Sequence, residues 1–270
     1  MASRWRRRCA NETAEVFAAR STLSIGARRL TMRWRPGPIS ILCVSLLAIS
    51  SCGAQQQAAE KLIDPRLREQ GVLVERHGRD LELGHYRVED LQVDEQPFDG
   101  TGPLAPNADG RTRPTQQWRL HFTLRGGETP WDVQCVGQRR QPPDHDLAAA
   151  ADELRDEVAV RCQLAGAAQR WTLRIDGSLA ANMTGELASL DDSARSKVVE
   201  VVMWHRLWNV SRRRLPASLA LIHGHAESEA ALILDAPERA WLAPQLDEQE
   251  RSLALASMLA LRLLPLGFDN

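Results

Sequence analysis

Short runs in which apolar and polar residues alternate make up most of the chain after residue 70. Residues 118–124 carry apolar side chains at even positions, and residues 171–175 carry them at odd positions. A period of two is typical of a β-strand with one buried face. Similar runs continue to residue 242, and together they predict about ten strands. The predicted fold class is therefore α+β and mainly β, built on an antiparallel sheet or a closed barrel.

The last apolar segment, residues 246–264, predicts a helix. Its acidic residues at 247, 248 and 250 suit a helix N-terminus, and Pro265 ends the helix. Among residues 253–264 only Ser257 and Arg262 are polar, so the polar stripe of a surface helix is missing. Such a helix must be enclosed. The enclosure could be a closed barrel, a two-layer sheet with the helix on one face, or a sandwich capped by the helix.

A different pattern lies upstream, in residues 32–52. Arg33 and Arg35 precede an apolar run at 39–49, and the small residues Ser50 and Ser51 follow it. A basic start, a short apolar run and small residues at a cleavage site are the three parts of a secretory signal peptide. The run is 11 residues long, whereas a membrane-spanning helix needs about 20. We therefore expect it to be a leader and not a permanent span.

The end of this leader, Ile49-Ser50-Ser51-Cys52, resembles the lipobox of bacterial lipoproteins. The family prefers Leu where Ile49 stands and Gly or Ala where Ser51 stands. The resemblance implies diacylglyceryl transfer to the Cys52 sulfur, cleavage before Cys52, and acylation of the new amine, for example with palmitate. In that family an Asp after the cysteine favours the inner membrane. Here Gly53 follows, which implies a lipid anchor in the outer membrane, facing the periplasm.

These features predict four parts of the chain. Residues 1–31 have no periodic apolar pattern, and we interpret them as a mis-called N-terminal extension before a true start at Met32. Residues 32–51 form the signal peptide and residues 52–70 a lipidated tether. Residues 71–270 form a single β-rich periplasmic domain.

The net charge of −1 is the sum of two unlike parts. Residues 1–51 hold nine arginines and two glutamates, a net charge of +7, and residues 52–270 hold 25 basic and 33 acidic side chains, a net charge of −8. An acidic body repels polyanions, so we expect no nucleic-acid partner. The membrane partner is reached through the lipid on Cys52.

The cysteines fit export to an oxidising compartment. Of the five, Cys9 and Cys43 leave with the leader and Cys52 becomes the anchor. Cys135 and Cys162 remain, both in strand-like runs. We predict a disulfide between them. A reactive thiol or a metal ligand is the alternative, but neither cysteine has a neighbouring His or a CxxC motif.

His223 and His225 are the candidate metal ligands. Two histidines at i and i+2 of a strand project to the same side, as ligands of one metal can. A zinc site needs three or four ligands, and Glu227 or Glu229 would have to complete it. The alternative is a hairpin turn with solvated histidines, because Gly224 lies between them. No metal and no cofactor are assigned.

Three other clusters have residue types that can bind or catalyse. Trp204 and Trp208 offer a stacking platform, but core packing is the simpler interpretation. Residues 212–214 are three arginines that could attract phosphates, although such a run is usually a solvated turn. Residues 144–146, Asp-His-Asp, suit acid–base chemistry but lie in a proline-rich loop.

The order of elements, about ten strands and then an enclosed C-terminal helix, resembles the tubby C-terminal and LURP-one fold. In that fold a closed antiparallel barrel surrounds a hydrophobic helix. The resemblance covers residues 72–264 and depends on element order, not on a motif. Family members are often linked to membrane lipids, but no residue of this chain can be matched to a lipid site.

The sequence therefore predicts a bacterial envelope lipoprotein with a non-catalytic binding or structural role at the membrane. Its partner would be an envelope protein or an apolar ligand. Nucleophile and nucleotide motifs such as GxSxG, HExxH and the P-loop are absent from the sequence. The alternative is an envelope hydrolase or a metal-binding module that uses His223 and His225.

Overall fold

The computed structural model describes residues 59–77, 81–98, 100, 102–104, 113–141, 156–179, 181–207, 214–224, 227–234 and 238–267. All of them belong to one compact unit, Gln56–Asn270. The predicted signal peptide and Cys52 lie outside the described residues.

Within the described residues, twelve antiparallel strands close into a barrel in which each strand pairs with its neighbours in sequence. The strands are β1 (Val72–His77), β2 (Glu82–Leu83), β3 (Tyr86–Gln96), β4 (Thr115–Arg125), β5 (Trp131–Arg140), β6 (Glu157–Ala165), β7 (Arg170–Ser178), β8 (Met183–Ser189), β9 (Ser196–Leu207), β10 (Arg214–His223), β11 (Ser228–Ile233) and β12 (Arg239–Leu242). The ring closes where β12 pairs with β1, for example Val74 with Ala240. The closed-barrel alternative is confirmed, with two more strands than about ten.

The C-terminal helix α2 (Glu248–Leu263) lies along the inside of this barrel. It contacts β4, β5 and β6 and also β10, β11 and β12, two groups of strands on opposite sides of the ring. Every residue from 252 to 261 is buried. The enclosed helix predicted from its all-round apolar sequence is confirmed. The part of the chain that the structure describes contains no helix long and apolar enough to cross a membrane.

Charged residues fix the C-terminal end of α2 to the wall. Arg262 lies 3.2 Å from Glu238, which precedes β12, and Arg76 of β1 lies 3.0 Å from the same carboxylate. The Glu238 side chain is only 2% exposed. A buried carboxylate requires such partners, because its desolvation is otherwise uncompensated.

A short helix, α1 (Pro65–Gln70), covers part of the outer face of the barrel. Asp64 caps it, accepting a hydrogen bond from the Arg66 amide over 2.8 Å. Ile63 and Leu67 pack on an apolar strip that β10, β11 and β12 expose outward. We call residues 59–70 the covering segment. The described part of the range expected to be a tether is therefore folded onto the barrel.

The disulfide predicted between Cys135 and Cys162 is present. The two residues are directly opposite each other on β5 and β6. Both side chains are buried in the main core, which the inward faces of the strands form with α2.

β5 runs to Arg140, although its last three residues, Gln138-Arg139-Arg140, are all polar and do not alternate with apolar ones. Gln138 is fully buried and donates to Gln117 over 2.6 Å, while the Leu104 amide donates to Gln138 over 2.8 Å. Loop residues thus cover the strand and bury polar side chains, which removes the alternation that marks strands in sequence.

Candidate functional site

The inside of the barrel holds α2, so a binding surface is expected on the outer face. Leu255, Ala256, Met258 and Leu259 of α2 are each fully buried against inward-facing residues of the wall. A close-packed interior leaves little room for a ligand. The outer face, in contrast, has concave regions.

One such region is a depression of about 810 Å³ on the outer face of β4, β5, β6 and β7. We call it the β4–β7 depression. Two rows of outward side chains cross these strands at neighbouring levels. The first row consists of Arg119, Val136, Arg161 and Arg174, and the second of His121, Gln134, Gln163 and Thr172.

The floor of the depression is cross-linked. Between the two rows lie Leu120, Cys135, Cys162 and Leu173, whose side chains point into the core. The disulfide joins the two central strands at this level. A covalent bond across the pair fixes the spacing of the residues that line the depression.

The first row contains three arginines and is flanked by carboxylates, since Asp94 of β3 lies opposite Arg119 and Glu186 of β8 lies opposite Arg174. Arg161 is held by Asp176 over 2.8 Å and by the carbonyl oxygen of Val160 over 2.8 Å. Arg174 lies directly opposite Arg161 on β7. Arg119 and Arg174 are exposed and form no ion pair with any residue that the structure describes.

The second row is polar and contacts a carboxylate. Nε2 of His121 lies 2.7 Å from Asp132, and Gln134 donates to the other oxygen of that carboxylate over 3.0 Å. Gln163 is exposed and Thr172 half-buried. The depression therefore has one row of arginines with acidic neighbours and one row of polar side chains beside the Asp132 carboxylate.

Sequence reasoning did not identify this site. Arg119, Arg161 and Arg174 were visible only as polar positions in alternating runs. Their alignment in one row depends on the register of four strands, which no single run encodes. The sequence does contain one clue. Arg119 comes one residue before the apolar Leu120, and Arg174 comes one residue after the apolar Leu173. Because their strands run in opposite directions, these two positions can lie at the same level of the sheet.

His223, one of the two candidate metal ligands, lies at the end of β10. Its Nδ1 is 3.2 Å from the Ser228 hydroxyl oxygen, and its Nε2 is 3.4 Å from a carboxylate oxygen of Glu200. His225 lies outside the described residues. Among the residues that are described, no group of three or more His, Cys, Asp or Glu side chains is arranged to hold a metal ion.

Most other sequence candidates fall where no structure is described. These are Cys52, Asp144, His145, Asp146, Trp208, Arg212 and Arg213. Trp204 lies in β9, where its backbone pairs with Ala217, and Arg214 begins β10. Core packing of Trp204 and Trp208, their alternative role as a stacking platform, and the chemistry of the Asp-His-Asp cluster all stay hypotheses.

The end of the barrel where α2 begins holds a tyrosine that is hydrogen-bonded to a carboxylate. Tyr86 donates a hydrogen bond to Glu248 over 2.7 Å, and His85 lies 3.0 Å from the same oxygen. Burial raises the pKa of Tyr86 well above 10, and the hydrogen bond to Glu248 raises it further. Burial by itself would raise the pKa of Glu248, but the hydrogen bonds with His85 and Tyr86 outweigh it, and that pKa is lowered. These contacts attach the start of α2 to β3.

The chain matches no protein-family model, no curated protein and no solved structure. Function must therefore be inferred from the geometry of this chain alone. The β4–β7 depression and the contacts of His223 are the two places where that geometry suggests a chemical role.

Proposed function

We propose that this protein is a lipid-anchored protein of the bacterial envelope with a non-catalytic binding role. The anchor is the lipid on Cys52, in the outer membrane and facing the periplasm. The partner is an envelope protein, and it binds in the β4–β7 depression. The lipobox-like residues before Cys52 support the anchor, and the disulfide supports an oxidising compartment.

The single observation that carries the binding role is the contrast between the inside and the outside of the barrel. The inside is occupied by α2, whose residues 252–261 are all buried. The outside has a concave surface over a cross-linked floor, with two exposed arginines that have no partner among the described residues. A protein partner on the outer face therefore fits better than an apolar ligand held inside.

The anchor is tested by metabolic labelling with an alkyne fatty acid. We expect the wild type and Cys43→Ala to be labelled equally and Cys52→Ala to be unlabelled. Cys43 is the matched control because it lies in the same leader region but leaves with the signal peptide. Undiminished labelling of Cys52→Ala would remove the basis for the membrane assignment.

The binding surface is tested with a photo-crosslinking amino acid at Gln163, an exposed position of the depression. Glu69, exposed on α1, is the control position. We expect crosslinking in intact cells at Gln163 and not at Glu69, to the same protein in replicate cultures. Equal crosslinking at both positions, or none at Gln163, would contradict binding in the depression.

A second candidate function, an envelope hydrolase, is favoured by the contacts of His223. Ser228, His223 and Glu200 form a chain of the residue types that activate a serine nucleophile. In that role the Ser228 oxygen attacks an ester carbonyl while its proton passes to His223, and Glu200 orients the imidazole. His223 then returns the proton to the leaving alcohol, and water hydrolyses the acyl-serine.

The hydrolase candidate is tested with a fluorophosphonate probe, which labels activated serines. Labelling of the wild type that is lost in Ser228→Ala and in His223→Gln would support it. Ser196→Ala removes an exposed serine elsewhere and should leave labelling unchanged. An unlabelled wild-type protein would leave the binding role as the proposal to pursue.

A further inference from the structure

We infer that the covering segment and the adjoining part of β1 form the face of the barrel that lies on the membrane, with Leu62 and Leu73 in contact with the lipid surface. This orientation rests on the lipid anchor of the proposed function and adds the surface that meets the bilayer. It follows from the length of the tether, from the apolar side chains beside it, and from the position of the β4–β7 depression on the ring.

The tether between the lipid and the barrel is short. Ala59, where the covering segment begins, is buried on the outer strip of β10–β12. Six residues, 53–58, separate it from Cys52. Since an extended chain covers at most about 3.3–3.6 Å per residue, Cys52 and Ala59 can be no farther apart than about 25 Å. The lipid therefore holds this face of the barrel close to the bilayer.

The opposite face of the barrel is too far from the point of attachment to lie on the same membrane. In the closed order of the described strands, β11 and β12 are six strand spacings away from β5 and β6. At about 4.8 Å per spacing, the path around the wall is about 29 Å between backbones, and side chains lengthen it. That path is longer than the tether. The β4–β7 depression therefore faces away from the bilayer, where a partner protein can reach it.

Two exposed leucines lie on the face that the lipid holds. Leu62 of the covering segment is 37% exposed. Leu73 of β1 is 43% exposed and lies opposite Trp241, an outward side chain buried in the same cluster as Ile63 and Leu67 of the covering segment. Single exposed leucines are common on protein surfaces, but these two belong to the surface nearest the anchor. Contact with the lipid interface removes their exposed area from water and so stabilises this orientation.

The charges of the covering segment are balanced, unlike those of the whole body. Residues 52–270 carry a net charge of −8, and an acidic surface is repelled by anionic lipids. Residues 59–70, in contrast, hold three acidic and three basic side chains. Glu60 is paired with Arg239, which also donates to Glu75 of β1 over 2.6 Å. The region nearest the anchor is thus a neutral part of an acidic protein.

The anchor makes even a weak contact effective. A short flexible linker raises the effective concentration of what it joins to the millimolar range. The acyl chains supply the stable attachment to the membrane. The two leucines therefore select which face touches the bilayer, while the lipid holds the protein there.

The experiment attaches a fluorophore to the full mature lipoprotein, which is then reconstituted in vesicles. A cysteine is introduced at Leu73 or, as the control on the opposite face, at Gln163 of β6. It is the single free thiol, because Cys52 carries the lipid and the disulfide holds Cys135 and Cys162. The vesicles are mainly phosphatidylethanolamine with a minority of phosphatidylglycerol, and some lipids carry a nitroxide quencher on the headgroup. We expect several-fold stronger quenching in Leu73→Cys than in Gln163→Cys.

A second substitution tests the apolar contact. Leu62→Asp, read with the fluorophore at position 73, should lower the equilibrium constant for contact about fivefold, because the exposed part of Leu62 no longer gains from burial. Leu190→Asp is the matched control and should leave the quenching unchanged. Leu190 is 54% exposed, but its amide donates to the Arg170 carbonyl oxygen at the start of β7, on the far side of the ring.

Flotation of the vesicles separates the orientation from the anchor. Equal quenching in Leu73→Cys and Gln163→Cys, or quenching at position 73 that Leu62→Asp leaves unchanged, would overturn the orientation. A protein that floats with the vesicles but shows no quenching at position 73 would also overturn it, and the anchor would stand. A protein that does not float would refute the anchor of the proposed function, and the orientation with it.

Discussion

Trp131 and Ser252 join the barrel wall to the central helix. The indole nitrogen of Trp131 on β5 donates a hydrogen bond to the Ser252 hydroxyl oxygen on α2 over 2.9 Å. Both residues are almost fully buried. The hydroxyl in turn donates to the Gln249 carbonyl oxygen over 2.9 Å. An enclosed helix thus provides the partner that a buried indole N–H requires.

We predict that Ser252→Ala lowers the free energy of unfolding by about 1–3 kcal/mol, because it leaves the Trp131 N–H buried without a partner. Ser257→Ala is the control. Ser257 is equally buried, but its hydroxyl bonds only the Leu253 carbonyl one turn earlier. Its replacement should change stability by less than about 0.5 kcal/mol, since alanine is the better helix former. Equal effects in chemical denaturation would contradict the role given to the Trp131 bond.

The disulfide is expected to stabilise the barrel measurably. Cys135 and Cys162 are separated by 27 residues, and closing a loop of that length corresponds to about 3–4 kcal/mol in the chain-entropy model. The variant Cys135→Ala, Cys162→Ala should lose about that amount in chemical denaturation. Adding a reductant should destabilise the wild type and not the variant. A free thiol titrated at either position in the unreduced mature protein would refute the bond.

Tyr86 should ionise at a higher pH in the folded protein than in the unfolded chain. Its phenolate absorbance can be assigned directly, because it is the only tyrosine in the chain. Burial first, and then the bond to Glu248, raise its pKa above the ordinary 10.0. Because the pKa of Tyr86 is raised in the folded state, its contribution to the free energy of unfolding is fully present below pH 10 and is lost as pH rises further. Phenolate absorbance should therefore appear well above pH 10 in native protein and near 10 in denaturant.

Tyr86→Phe provides the control for the alkaline behaviour. The variant has no phenolate signal, and its stability should fall less steeply above pH 10 than that of the wild type. A native protein whose phenolate appears at the same pH as in denaturant would show that Tyr86 is not buried against Glu248.

The covering segment should contribute to stability as part of the core. Leu67 is 4% exposed against the outer strip of β10–β12, whereas Leu62 in the same segment is 37% exposed. We predict that Leu67→Ala costs about 2–3 kcal/mol and Leu62→Ala less than about 1 kcal/mol in chemical denaturation. If residues 59–70 were only a tether, neither change would affect the unfolding of the barrel.

Local sequence patterns were sufficient to predict a strand and its inward face wherever that face is uniformly buried. Leu120, Phe122 and Leu124 alternate with polar residues and all three point into the core. The pattern weakened where tertiary contacts bury polar groups, as at Gln138, and where an element is very short. β2 has two residues, which is too few to display a period of two.

The sequence by itself determined the elements and their inward faces, because alternation and helical periodicity are properties of neighbouring residues. It also determined that α2 must be enclosed, since an all-round apolar helix is unfavourable in water, and that Cys135 and Cys162 were available to each other. Only the tertiary structure decided that the ring closes between β1 and β12, that the covering segment packs on β10–β12, and that Arg119 and Arg174 share one row. Those outcomes depend on the register between segments far apart in the chain, and pairing of that kind is selected by the packing of the whole barrel.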